Sequence, residues 1–159
     1  MEMIIGTRLD KIIDENDLSS KPKTFNENLY KGLFNILKIL HKAKIVHRDI
    51  RPKNLFIKDD GTPILFDFEF SVDTRRNKYA EFKYINRNPR LIMSLGGDYS
   101  KNRYHWDDAF SIKKILEELE FINDEEFDKI NKEIEAMIGK NEIISIKNNF
   151  FSKKVRLFK

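Results

Sequence analysis

Apolar residues recur at helical spacing in four stretches of the chain and at strand spacing in three short ones. The clearest helical match starts at Thr24, where Thr24 and Glu27 have capping-box spacing, and continues through Leu29, Leu33, Phe34, Ile36, Leu37 and Leu40. A shorter helix is expected after Thr7, with Asp10 completing a second capping box and Leu9, Ile12 and Ile13 apolar; it should end before the polar run DENDLSSKPK. A third helix is expected from near Asp107, with Phe110, Ile112, Ile115, Leu116 and Leu119 inward. A fourth should run from about Asp124 through Phe127, Ile130, Ile134 and Ile138 to a stop at Gly139. Ile45-Val46, Leu55-Phe56-Ile57 and Ile64-Leu65-Phe66 are β-prone, and Asp60-Gly61 between the last two predicts a hairpin. From Ser71 to Arg103 no period emerges. Basic residues such as Arg75, Arg76, Lys78 and Lys83 are frequent there, as is expected of a long irregular segment that includes Gly96-Gly97. The tail after Lys140 receives no assignment.

Composition narrows the class. At 159 residues the chain is one domain's worth, and its 13 Phe supply ample apolar volume for a core. The net charge of +4 suits phosphate-bearing ligands without requiring nucleic acid, which is not expected as a partner. The absence of cysteine excludes disulfides, thiolate metal sites and a Cys nucleophile. No apolar run approaches the roughly 20 residues of a membrane span, and the first residues lack a leader pattern, so the expectation is a cytoplasmic protein.

The chemistry concentrates in IVHRDIRPKNLFIKDDGTPILFDFEF, residues 45–70. His47-Arg48-Asp49 follows a short strand, Asn54 enters the hairpin and Asp67 leaves it. Phosphoryl transfer needs divalent cations to neutralise nucleotide phosphates, and hard Mg²⁺ takes oxygen ligands. A hairpin leaving from Asn54 and returning to Asp67 brings two such oxygen donors near each other, while the loop ahead of Asn54 can aim Asp49 at an acceptor hydroxyl.

These residues resemble the protein kinase catalytic loop, H-R-D-L-x-x-x-N, followed by D-F-G. The resemblance implies that Asp49 orients or deprotonates the acceptor hydroxyl, that Arg51 neutralises the transferred group, and that Asn54 and Asp67 bind Mg²⁺. It further implies ATP contacts from Glu2, Ile4, Asn54, Leu55 and Asp67, a hinge-like start at residues 1–10, and an activation-segment-like loop at 71–105. Phe68 would pack on His47. Asp108-Ala109-Phe110-Ser111-Ile112 resembles D-x-W-S-x-G, whose Asp braces the catalytic loop. The implied fold is α+β, a single mainly helical kinase-like C-terminal lobe over residues 1–159 with a small β-hairpin and no N-lobe.

Departures qualify the implied function. Glu69 stands where the motif has Gly, which is reminiscent of choline-kinase-like and aminoglycoside-phosphotransferase-like relatives, so the acceptor hydroxyl belongs to a protein or a small molecule. Asn88-Pro89-Arg90 lacks the Glu of A-P-E, and Lys113 replaces the last Gly of the Asp108 segment. No Gly-rich loop or strand Lys precedes the hinge-like start, so a partner supplying an N-lobe is one expectation and a non-catalytic kinase-like binding module is the alternative. His47 reads as a core histidine, and His41 and His105 as ordinary surface residues without acidic partners.

Overall fold

The structure, a computed structural model, describes residues 6–15, 17–75, 90–91, 94–102, 105–119 and 125–144. The expectations for Glu2 and Ile4, for most of the 71–105 segment, and for the tail past 144 fall outside those residues.

The core is organised by one long helix. Helix α2 (Lys23–Ala43) follows α1 (Leu9–Asp14) and buries Phe25, Leu29, Tyr30, Leu33, Phe34, Leu37 and Leu40, the apolar stripe seen in the sequence. Helices α3 (Asp108–Glu118) and α4 (Glu125–Met137) pack against it and against each other, contributing Ile112, Ile115 and Leu116 from one and Phe127, Ile130 and Ile134 from the other. Tyr30 stacks on Phe127 with ring centroids 4.3 Å apart and donates its hydroxyl to the Phe127 carbonyl at 3.2 Å, so the largest polar side chain of this stripe is satisfied where it is buried.

Neither expected capping box forms. Thr7 lies in strand β1 (Gly6–Arg8), and the Asp10 carboxylate is gripped by the Arg8 guanidinium at 2.8 and 3.0 Å instead of reaching back to Thr7. Pro22 occupies the N-cap position of α2, which places Thr24 inside the first turn, and Glu27 pairs with Lys23 at 3.7 Å. The third helix does start as expected: Asp107 caps α3 by accepting the N–H groups of Ala109 and Phe110.

The expected hairpin is present as β3 (Leu55–Lys58) and β4 (Pro63–Leu65), and β1 adds to it in the order β1-β3-β4, antiparallel throughout. Two further two-stranded pairs were not anticipated: β2 (Ile45–Val46) with β5 (Val72–Asp73), and β6 (His105–Asp107) with β7 (Glu142–Ile144). A second, smaller core of Val46, Leu95 and Trp106 lies between those pairs. No helix among the described residues is long and apolar enough to cross a membrane.

The hairpin turn is seated on the start of α2. Gly61 has φ +90°, and a Cβ there would stand 2.2 Å from the Phe25 carbonyl oxygen. Gly61→Ala is therefore expected to destabilise the chain by about 2 kcal/mol or more, combining left-handed strain with a backbone collision. Urea unfolding checks this through a lower midpoint at unchanged slope; an unmoved midpoint would mean the turn does not rest on Phe25.

Candidate active site

Residues 47–54 form a loop that enters from β2 and leaves into β3, and all of it but Arg51 and Lys53 is buried. Its backbone is anchored by the first residue of α3. The Asp108 carboxylate, 1% exposed, accepts the His47 N–H through Oδ2 at 2.7 Å and the Arg48 N–H through Oδ1 at 3.2 Å. This is the brace that the sequence resemblance implied for Asp108. Held at those two amides, the chain passes through a left-handed conformation at Arg48, φ +72°. The Arg48 side chain donates from Nε to the Phe70 carbonyl at 2.5 Å and lies over the Trp106 ring at 5.5 Å, joining the loop to the smaller core.

His47 is a structural residue. Burial pushes its pKa below the ordinary imidazole range, which favours the neutral ring. Its Nδ1 faces the Asp49 N–H at 3.3 Å and Nε2 faces the Phe66 carbonyl at 3.0 Å, which assigns the proton to Nε2. Phe68 meets its ring edge-on at 4.7 Å, as expected.

The Asp49 carboxylate, 2% exposed, is held at both oxygens. Oδ2 accepts from Asn54 Nδ2 at 2.7 Å and pairs with Arg51 Nη2 at 3.0 Å; Oδ1 accepts the Gly96 N–H at 2.6 Å. Asn54 Nδ2 also donates to the Asp49 carbonyl at 2.8 Å, which leaves Oδ1 of that amide as its remaining oxygen. The structure thus brings Asp49, Arg51 and Asn54 into one cluster. Asp67 is tied to it through the ladder: Leu55 pairs with Leu65, and the Phe66 N–H donates to the Asn54 carbonyl at 3.2 Å. Asp67 itself follows with φ +63° and is exposed, as are Phe68 and Glu69. Among the described residues no group of three or more His, Cys, Asp or Glu forms a metal cage; the oxygens on offer are one amide and one carboxylate.

Two readings need correction. Leu55 has no exposed surface and packs in the main core, so its side chain offers nothing to a ligand. The alternation along β3 puts Leu55 and Ile57 inward and leaves Phe56 partly exposed, opposite Arg8 of β1; period-two patterning could have pointed to Phe56. His105 is not a lone surface residue. Its Nε2 meets Glu142 Oε2 at 2.6 Å, and Glu142 and Asp107 share Lys101 at 3.2 and 2.8 Å. Asp107 Oδ2 also accepts the Gly139 N–H at 2.7 Å, so this network ties the end of α4 to the start of α3.

A cleft of about 410 Å³ opens beside the cluster, bounded by α1 through Asp10 and Asp14, by Arg51 of the loop, by Gly96 and Gly97, and by Glu118 of α3. Arg51 is thus both a partner of Asp49 and a wall of open space, which is the arrangement needed to bring an outside group up to a buried carboxylate.

Over residues 1–138 the sequence matches the family described as Protein kinase domain. It is 41% identical over 49 residues to Serine/threonine-protein kinase C of Synechocystis, covering 30% of this chain and 9% of that protein. It is 30% identical over 104 residues to a bifunctional serine/threonine-protein kinase/NEDD4-like E3 ubiquitin-protein ligase of Dictyostelium discoideum, covering 61% of this chain and 5% of that one. Human cyclin-dependent kinase-like 5 is 31% identical over 114 residues, covering 69% of this chain and 11% of its own length. The chain therefore spans a small fraction of the relatives it matches.

Burial raises the Asp108 pKa to about 7, against the pull of the two amides it accepts from and with Asp107 adding to the rise. From its ordinary value of 3.8 up to that point the folded chain holds a proton that the unfolded chain has released, so the Asp108 contribution to stability falls as pH rises from about 4 to about 7. Wild type is expected to lose more stability over that window than Asp108→Asn, which cannot titrate there. Parallel thermal melts across the window check the difference; superimposable slopes would overturn it.

Proposed function

Because the chain belongs to the protein kinase family, we propose that it forms a kinase C-terminal lobe that transfers the γ-phosphoryl group of ATP to a hydroxyl, with Asp49 as the group that receives the hydroxyl. The observation that carries this reading is the buried Asp49 carboxylate held by Asn54, Arg51 and Gly96, the last two of which line an open cleft. The serine/threonine kinases among the relatives favour a protein side-chain hydroxyl as the acceptor.

The roles follow from the donors and charges. An acceptor entering the cleft past Arg51 and Gly96 would reach Asp49, whose carboxylate orients the hydroxyl and takes its proton as the new P–O bond forms and the bond from the γ-phosphorus to the bridging oxygen breaks, releasing ADP. Arg51, paired with that carboxylate and 36% exposed, supplies positive charge where the transferred group carries negative charge. Asn54 through its free amide oxygen and Asp67 through its exposed carboxylate would hold Mg²⁺, which takes one or two protein oxygens and completes its shell with water and phosphate. Bound there, Mg²⁺ would supply charge neutralisation for the nucleotide phosphates. Phe56 takes the place of Leu55 as the side chain available beneath the nucleotide, and Glu2 and Ile4 remain the candidate contacts along its rim. The opposite wall of the nucleotide site is assigned to a partner that supplies an N-lobe.

Glu69, exposed where the family motif has glycine, favours a second reading in which the lobe binds nucleotide or partner without transfer. Incubating the purified chain with labelled ATP, Mg²⁺ and protein or sugar acceptors separates the two. Transfer is expected, with Asp49→Asn lowering it by roughly a hundredfold or more and Asp67→Ala removing thermal stabilisation by Mg-ATP. Stabilisation without transfer would select the binding module, and neither signal would defeat both nucleotide readings.

A further inference from the structure

We propose that the backbone N–H of Gly96 is a positioning group for the Asp49 carboxylate, and that the turn bearing it forms the wall of the cleft past which an acceptor reaches Asp49. The catalytic half of this statement rests on the phosphotransfer reading; the contact does not.

Asn54 and Arg51 both act on Oδ2 of Asp49 and neither meets Oδ1. The Gly96 N–H, at 2.6 Å from Oδ1, adds a second hold, so rotation of the carboxylate about Cβ–Cγ is resisted at both oxygens, and a donor to a carboxylate belongs to the shorter and stronger class of hydrogen bond. One lone-pair direction of Oδ1 is then left for an incoming hydroxyl.

The turn is built to hold that N–H in place. Gly96 has φ +76°, and a Cβ added to it would lie 3.0 Å from Ser100 Cβ and 3.2 Å from the Arg48 carbonyl oxygen. The turn is therefore close against the backbone of the Asp49 loop, so that a Cβ at this left-handed position would force its neighbours to give by a few tenths of an ångström. On its other side Leu95 is 3% exposed and packs with Val46 and Trp106, and Trp106 Nε1–H donates to the Leu95 carbonyl at 3.1 Å. Trp106 also lies under the Arg48 guanidinium. One aromatic side chain thereby fixes both the loop that carries Asp49 and the turn that orients it. Gly96 and Gly97 line the cleft together with Arg51, so the path of an acceptor toward Asp49 runs along this turn.

Amide hydrogen exchange and ¹H–¹⁵N spectra of the full chain without nucleotide test the contact. In Asp49→Asn the Gly96 amide is expected to move upfield and to lose protection by roughly tenfold or more, the size expected for a hydrogen bond to a charged group. Gly96→Ala is expected to shift the side-chain amide signals of Asn54, which shares the carboxylate. Gly139→Ala is the control: it carries the same left-handed penalty at φ +83°, with its nearest contact at 4.0 Å, and should leave the Asn54 signals in place at a comparable loss of melting temperature. In the transfer assay Gly96→Ala should lower kcat by roughly a hundredfold with KM for ATP little changed. A Gly96 amide indifferent to Asp49→Asn, or Asn54 signals that respond equally to Gly139→Ala, would overturn the proposal. If wild type transfers nothing, the phosphotransfer reading and the catalytic half fall together, while the spectra still decide whether Gly96 positions Asp49.

Discussion

A single buried carboxylate, that of Asp108, sets the course of the backbone on which the site depends. Burial of an ion is costly, and consecutive amides, His47 and Arg48, meet both oxygens and offset part of that cost. Those two amides fix the approach to Asp49 more tightly than apolar packing would, because a hydrogen bond constrains direction as well as distance. The base of the brace is itself secured, since Asp107 caps the same helix and draws in Gly139 and Lys101. The second helix pair thus reaches the Asp49 loop through two adjacent acidic residues, one turned toward the loop and the other toward the far end of α4.

The sequence exposed the helices well because burial against α2 imposes a long apolar period on each. It misjudged their starts at Thr7 and Thr24, where capping-box spacing is present but the backbone does not use it: β pairing claims Thr7, and Pro22 opens α2 before Thr24 can cap it. Asp107 was legible because a short acidic side chain ahead of an apolar run both caps and begins a helix. Strand β2 was expected at Ile45-Val46, but its partner β5, like the β6 and β7 pair, contains two or three residues, too few for alternation to register, and the partners lie far along the chain.

The site divides along similar lines. The grouping of Asp49, Arg51 and Asn54 was readable because they come from one short loop. Leu55 turned out to face the core, because alternation along β3 leaves its neighbour Phe56 on the other face of the strand. Gly96 carried no signal beyond a glycine pair in an aperiodic segment, since what it contributes is an N–H common to nearly every residue. His105 and Glu142 meet across 37 positions, a separation over which charge complementarity in a single sequence says little.

The left-handed backbone at Arg48 and Asp67 sets stability against purpose. Each residue bears a side chain in a region that disfavours one by roughly 1–2 kcal/mol, so glycine at either position would relax the main chain. A selection for heat resistance alone would accordingly reward erasing Asp67, one of the two side chains from which a cation site would be made. Improving the robustness of this chain and preserving what it does are separate engineering problems at those two positions.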